Sequence, residues 1–334
     1  MVRPGARNLI TDVPGIRVGQ AEDRLARTGV TVVLPDEPAK AAVDVRGGAP
    51  GTRETDALDP MSLAGRADAV VLSGGSAFGL DSASGVMAWL SENGRGFALR
   101  PDVPRVPIVP AAILFDLANG GRFAPDIFVS LGRKAVATAS AEFALGNAGA
   151  GCGAIAGAYK GGTGSASAVI DDAMAVGAIV AVNAAGSPVI PGTDVFWAFA
   201  LEQDNEFGGR RLGSEFKGAT LDLPPDGKRR LQPGTNTTIA VVATDADLTA
   251  TELKRIAIMA ADGFARALRP THTPFDGDTV FTLATGVKRI TGDRPRALTK
   301  LGSVAADCVA RAIARGVYEA ETLGDARSYR DTFG

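Results

Sequence analysis

What most limits the folds open to this chain is a set of short, largely apolar runs separated by glycine, proline and charged residues. Residues 31–34, 42–45, 69–72, 176–182, 237–244 and 279–284 all carry it. Rich in Val, Ile, Ala and Thr, they read as strands buried inside the protein. Amphipathic stretches lie between them. Residues 78–93 predict a helix, with Phe78, Ala83, Val86, Met87 and Leu90 at helical spacing and Gly94 just past its end. Residues 131–145 predict a second, alanine-rich helix suited to close packing. Thr249 and Glu252 form a capping box, and Leu248 can staple to Leu253. The helix they open carries a stripe of Leu253, Ile256, Ala257, Ala260, Phe264 and Leu268, and Pro270 closes it. Residues 302–318 predict a last helix. Strands and helices thus mix along the chain, which predicts an α/β fold of stacked sheet and helix layers. With 334 residues there is chain enough for one large layered domain or two ordinary ones.

One stretch breaks the pattern. Residues 203–234 gather Asp204, Glu206, Arg210, Arg211, Lys217, Asp226, Lys228, Arg229 and Arg230 among glycines and prolines, with no sustained period. They predict an exposed, partly mobile loop. Residues 173–193 are uncharged and superficially resemble a membrane span, but Gly177, Asn183, Gly186, Pro188 and Pro191 divide them into strand-and-turn pieces. The N-terminus lacks the apolar core of a signal peptide, so the expectation is a cytoplasmic protein with no membrane partner.

The residue inventory narrows the chemistry. A net charge of −2, scattered basic residues and 6% aromatics give no nucleic-acid signal. Two distant cysteines, Cys152 and Cys308, predict buried thiols rather than a disulfide framework. A single histidine, His272, leaves too few ligands for a zinc site and no Ser-His-Asp arrangement with a nucleophile elbow. Gly149-Ala-Gly-Cys-Gly153, with Asp171 and Asp172 about twenty residues on, loosely fits a dinucleotide fingerprint. A helical run precedes it where a strand should, so tight backbone packing is the better reading, and a nucleotide-binding oxidoreductase is kept as a distant alternative. Ser73-Gly-Gly-Ser-Ala-Phe-Gly79 turns from strand to helix, where backbone amides can receive an anion.

At Gly234-Thr-Asn-Thr-Thr-Ile-Ala the charged loop meets a buried strand. A threonine opening a strand is ordinary. It also permits a specific chemistry. If the Thr237 hydroxyl attacked the carbonyl of Asn236 and the resulting ester hydrolysed, Thr237 would become a new N-terminus. Its α-amine, with a pKa near 8, would be partly neutral at neutral pH, so nucleophile and base would sit on one residue without histidine. Asp276-Gly-Asp278 precedes the strand at 279 and could hold the hydroxyl and ammonium of Thr237, or be an ordinary turn.

At these residues the chain resembles the self-processing aminopeptidases, a family containing L-aminopeptidase/D-alanyl esterase-amidases, β-peptidyl aminopeptidases and nylon-oligomer hydrolases. The resemblance runs through Asn8-Leu-Ile-Thr-Asp-Val-Pro-Gly-Ile-Arg-Val-Gly19, Gly47-Gly-Ala-Pro-Gly-Thr-Arg53, the Ser73–Asp81 segment, Val109-Pro-Ala-Ala-Ile-Leu-Phe-Asp116, Lys160-Gly-Gly-Thr-Gly164 and Asn236-Thr-Thr-Ile-Ala-Val-Val-Ala-Thr244. It implies a four-layer α-β-β-α sandwich like that of N-terminal-nucleophile hydrolases, formed by 1–334 as a single domain. It implies cleavage between Asn236 and Thr237 into a large chain, 1–236, and a small chain, 237–334, that stay assembled. By the same resemblance Asp276 and Asp278 would orient Thr237, Lys160 would place a positive charge beside it, and Asn183 would stabilise the oxyanion. Phe115 stands where some relatives carry tyrosine, and is assigned to the wall of the substrate pocket. The implied enzyme hydrolyses small-molecule or short-peptide amides through an acyl-enzyme, without a cofactor, as a homotetramer. A self-cleaving acyltransferase of the ornithine acetyltransferase type is the nearest alternative.

Overall fold

The computed structural model describes residues 1–220, 222 and 236–334. The strands in chain order are β1 (Val2–Pro4), β2 (Ile16–Asp23), β3 (Thr28–Pro35), β4 (Ala39–Val45), β5 (Thr52–Arg53), β6 (Arg66–Ala67), β7 (Val70–Ser73), β8 (Ala111–Ile113), β9 (Ile155–Ala156), β10 (Tyr159–Lys160), β11 (Gly162–Ile170), β12 (Met174–Asn183), β13 (Thr237–Ala246) and β14 (Thr279–Lys288). The helices are α1 (Ser82–Glu92), α2 (Ile127–Ala137), α3 (Ala250–Ala267), α4 (Arg294–Tyr318) and α5 (Tyr329–Phe333). Among the described residues one sheet runs β1-β11-β12-β13-β14-β4-β6, a second runs β2-β3-β7-β8-β5, and β9 pairs with β10 alone.

Side chains alternate across a strand, so a strand covered on both faces must be apolar at odd and even positions alike. In β12, Val176, Ala178, Val180 and Val182 meet α3 and α4, whereas Ala175, Ile179 and Ala181 meet the opposite sheet. In β13 Ala240, Val242 and Ala246 divide from Ile239, Val241 and Ala243 in the same way. In the second sheet Val30, Val32 and Val71 face α1 and α2, while Val33, Val70 and Leu72 face the first sheet. Three cores between four layers follow: helices, sheet, sheet, helices. This is the α-β-β-α sandwich the resemblance implies.

The connections fit the layers. β13 and β14 are parallel neighbours, as are β7 and β8, so each pair needs a crossover; α3 lies in the first and α1 in the second. The capping box at α3 forms as expected, with the Thr249 amide donating to Glu252 Oε2 at 2.8 Å and the Glu252 amide to Thr249 Oγ1 at 3.3 Å. α4 packs close to β11 through glycine: a Cβ at Gly164 would lie 1.9 Å from the Ala312 carbonyl oxygen.

Four expectations shift. The first helix begins at Ser82, because residues 76–81 form a tighter turn after Gly75, whose φ is +84°. The helix expected at 131–145 is α2, Ile127–Ala137; beyond it Ser140 exchanges backbone hydrogen bonds with Val18 at 2.9 and 3.0 Å, and Gln20 holds Ala144. Covering a strand edge outweighs the helix propensity of those alanines. The last helix starts eight residues early, at Arg294, with Asp293 as its N-cap. Of the stretch expected to be an exposed loop, Gln203, Asp204 and Asn205 are exposed, but Glu206 and Phe207 are instead anchored. Phe207 is buried, and Glu206 pairs with the nearly buried Arg311 at 2.5 Å. Residues 221 and 223–234 of that stretch lie outside the described residues. No helix among the described residues is long and apolar enough to cross a membrane.

Candidate active site

Thr237 is the first residue of β13, and strand register decides its company. Its Cα partner across the antiparallel ladder is Asn183, the last residue of β12. Both share the parity of the residues that face the second sheet, so both side chains point to the gap between the sheets. On the other side Asn236 bridges Asp276 in parallel. Asn236, Thr237, Asn183, Lys160, Asp276 and Asp278 are all buried.

The scissile carbonyl expected from the sequence has two donors. Thr237 Oγ1 lies 2.5 Å from the Asn236 carbonyl oxygen, and the Gly277 amide donates to the same oxygen at 3.0 Å. Gly277 has no room for a side chain, since a Cβ there would lie 2.7 Å from Thr237 Oγ1. The Gly47-Gly48-Ala49 segment backs this turn. The Arg46 and Ala49 amides donate to the carbonyls of Asp278 at 2.9 Å and Asp276 at 2.8 Å. A Cβ at Gly47 would lie 2.2 Å from the Asp276 carbonyl oxygen.

The two carboxylates are fixed by different partners. Asp278 Oδ1 accepts from the Thr238 amide at 2.8 Å. Its Oδ2 accepts from Thr271 Oγ1 at 3.1 Å and the His272 amide at 2.9 Å, and lies 2.8 Å from His272 Nδ1. Asp276 Oδ2 accepts from the Thr273 amide at 2.8 Å and Thr273 Oγ1 at 2.6 Å. Burial, and then the neighbouring Asp278 charge, push the Asp276 carboxyl above the usual carboxylate range. Such a group takes up a proton more readily than an exposed aspartate.

Asn183 leads to the remaining residues. Its Nδ2 donates to the Phe115 carbonyl at 2.9 Å, and its Oδ1 accepts from the Ile155 amide at 3.0 Å. Ile155 in turn pairs with Lys160 in the β9–β10 ribbon. Lys160 Nζ donates to the carbonyls of Gly151 at 3.0 Å and Gly161 at 2.7 Å. Beside Phe115, the buried Asp116 accepts from the Gly75 amide at 2.7 Å. Burial raises its carboxyl to about 6, against the opposing pull of Thr28, the Gly75 amide and Lys160. The structure thus brings Thr237, Asn236, Asn183, Asp276 and Asp278 into direct succession. It ties Phe115 to Asn183 through a main-chain carbonyl, and Lys160 through β9.

Two readings of glycine-rich segments are corrected or sharpened. Gly149–Gly153 is no nucleotide loop. Gly149–Gly151 forms a tight turn packed on β3, where a Cβ at Gly149 would lie 2.2 Å from Thr31 Oγ1 and one at Gly153 1.9 Å from the Arg27 carbonyl oxygen. The turn hands a carbonyl to Lys160. The strand-to-helix turn at 73–79 does receive an anion at its Gly75 amide, but that anion is the protein's own Asp116. His272, which the sequence excluded as part of a zinc site or a Ser-His-Asp arrangement, sits on Asp278. Its place four residues before Asp276, in a turn with threonine on both sides, was the available signal.

Known proteins share both sequence and fold with this chain. Residues 8–330 match peptidase family S58. An uncharacterised aminopeptidase of Mycobacterium tuberculosis is 46% identical over 344 aligned positions, covering 98% of each chain. A 6-aminohexanoate-oligomer endohydrolase of a Kocuria species is 30% identical, over 84% of this chain and 76% of its own. The solved L-aminopeptidase/D-Ala-esterase/amidase of Ochrobactrum anthropi, described as a variant of the Ntn hydrolase fold, superposes with a TM-score of 0.70 at 23% identity, covering 96% of this chain and 88% of its own.

Proposed function

The chain belongs to peptidase family S58 and is a hydrolase of amide bonds, and from that premise we propose that it first cuts itself between Asn236 and Thr237 and then uses Thr237 as an N-terminal nucleophile. One observation carries the reading. The Thr237 hydroxyl lies 2.5 Å from the oxygen of the carbonyl it would attack, and that oxygen also receives the Gly277 amide.

In the self-cleavage, Thr237 Oγ bonds to the Asn236 carbonyl carbon. The C–N bond breaks, and the hydroxyl proton ends on the nitrogen that becomes the α-amine. Water then hydrolyses the ester, leaving a carboxyl on Asn236 and a free hydroxyl on Thr237. The Gly277 amide is aimed at the oxygen where negative charge develops. The products, 1–236 and 237–334, stay assembled because β13 keeps its ladder to β12 and β14 keeps its ladder to β4.

In turnover the α-amine takes the proton from Oγ as it attacks a substrate amide, passes it to the leaving amine, and water releases the acyl group. Asp278 fixes the Thr237–Thr238 peptide through the Thr238 amide, and Asp276, tuned upward, sits across from Asn236. Asn183, opposite Thr237, supports the oxyanion, Lys160 supplies positive charge, and Phe115 lines the pocket. The substrates are short peptides or linear amide oligomers, in keeping with the activities named for the relatives. Resemblance to the family supports a homotetramer in the cytoplasm that needs no cofactor.

The test is intact mass under denaturing conditions. Freshly purified protein should give two masses, for 1–236 and 237–334, the smaller beginning Thr-Thr-Ile-Ala. Thr237→Ala should give one mass and no amide hydrolysis. A single full-length mass in active wild-type protein would sink the proposal.

A further inference from the structure

The tripeptide Thr271-His272-Thr273 supplies donors to both carboxylates of the site, and His272 contributes most on Asp278. Its main-chain amide and imidazole Nδ1 converge on one oxygen, Asp278 Oδ2, at 2.9 and 2.8 Å. To bring both groups round, His272 adopts φ +54°, the left-handed region that few side chains occupy without cost. The ring is further located by Phe264 of α3, with centroids 5.5 Å apart. Its side chain is 23% exposed, against 2% for Asp278, so the imidazole reaches solvent while the carboxylate it touches does not.

From this geometry we infer that His272 is a positioning residue for the nucleophile, acting through Asp278. Three donors on Oδ2 together hold the carboxylate against turning about its own bond, and loss of the imidazole weakens that hold. With all three in place, Asp278 Oδ1 stays on the Thr238 amide at 2.8 Å, which fixes the peptide that follows Thr237. The Nδ1–H tautomer is assigned from this contact, because it is the one that donates to a carboxylate oxygen. Without the imidazole, the main-chain amide and Thr271 Oγ1 remain on Oδ2, and the carboxylate gains freedom to swing. A nucleophile displaced by about 1 Å loses about a hundredfold in rate. The inference rests on the reading of Thr237 as nucleophile.

Two variants test it, both compatible with the backbone. His272→Gly suits φ +54° and keeps the amide but removes Nδ1. His272→Asn tolerates the same conformation and offers a side-chain N–H near the position of Nδ1. The chain is assayed whole for self-splitting and for hydrolysis of a chromogenic amino-acid anilide, with Thr237→Ala as reference. The expected result for His272→Gly is a fall in kcat and in splitting rate of ten- to a hundredfold with KM within about twofold. His272→Asn should recover at least a tenfold part of a hundredfold loss. Wild-type kcat in His272→Gly, an equal loss in both variants, or a loss confined to KM would each overturn the positioning role while leaving Thr237 as nucleophile untouched. Activity in Thr237→Ala would instead overturn the underlying reading.

Discussion

Gly277→Ala puts the proposed geometry under direct strain. A Cβ at 277 would lie 2.7 Å from Thr237 Oγ1, 3.0 Å from the Ala49 carbonyl oxygen and 3.2 Å from Thr237 Cγ2. Unstrained contact lies near 3.5 Å, so Oγ1 would have to retreat by roughly 0.8 Å. The open route is rotation about χ1, which is stiff in a β-branched residue and costs about 1 kcal/mol at 30° from its well. Displacement on that scale costs reaction rate far more than stability: about 1 Å is worth about a hundredfold. We expect Gly277→Ala to slow self-splitting by ten- to a hundredfold, and to lower unfolding free energy by only about 1 kcal/mol. Quenched time points after synthesis, resolved as intact and split masses, give the rate; urea midpoints of fully split wild type and fully split Gly277→Ala give the difference in stability. Adding Thr237→Ser to Gly277→Ala removes Cγ2 and frees χ1, so the double variant should split several-fold faster than Gly277→Ala alone, a coupling a double-mutant cycle detects. Unchanged splitting in Gly277→Ala, or equal slowing in the single and double variants, would refute the argument from contact.

Two further outcomes follow from the surroundings of the site. Asp116 titrates at about 6 rather than 3.8, chiefly because it is buried, so the native state holds this proton more tightly than the unfolded chain does. The associated stabilisation is complete below about pH 4 and is lost, by about 3 kcal/mol, as pH rises through about 6; the difference in urea stability between wild type and Asp116→Asn should show that fall, and a flat difference would contradict it. Gly164→Ala places a methyl 1.9 Å from the Ala312 carbonyl oxygen and 2.4 Å from the Gly316 amide, both backbone atoms of α4. The helix must lift from β11, at a cost of about 1–3 kcal/mol or more, and an unchanged urea midpoint would show that the packing there is loose.

Much of the layered fold was legible because its signals are local. β3, β7, β12, β13 and β14 carry their burial in their own residues, and the Thr249 capping box marks α3 within a turn. The helix expected at 131–145 failed for the opposite reason: whether residues 140–144 coil or cover an edge depends on β2, more than a hundred residues earlier. The start of α4 was missed because its first turns, from Arg294, carry little of the apolar period that marks residues 302–318.

By itself the sequence determined the strand opening at Thr237, the scarcity of histidine, the Asp-Gly-Asp turn, and the blocks of residues that tie this chain to self-processing aminopeptidases. These are covalent facts, fixed by order along the chain. Tertiary structure alone decided which groups meet. β12 and β13 could have paired in another register, and only the observed one sets Asn183 opposite Thr237. The parallel placement of β14 beside β13, with α3 as crossover, brings the 276–278 turn to Asn236, and so puts the Gly277 amide and the Thr237 hydroxyl on one carbonyl oxygen. In the sequence His272 had no partner, until its backbone, in a left-handed turn, laid the ring on Asp278. Register, crossover and backbone hand are properties of packing between distant segments, and no local pattern encodes them.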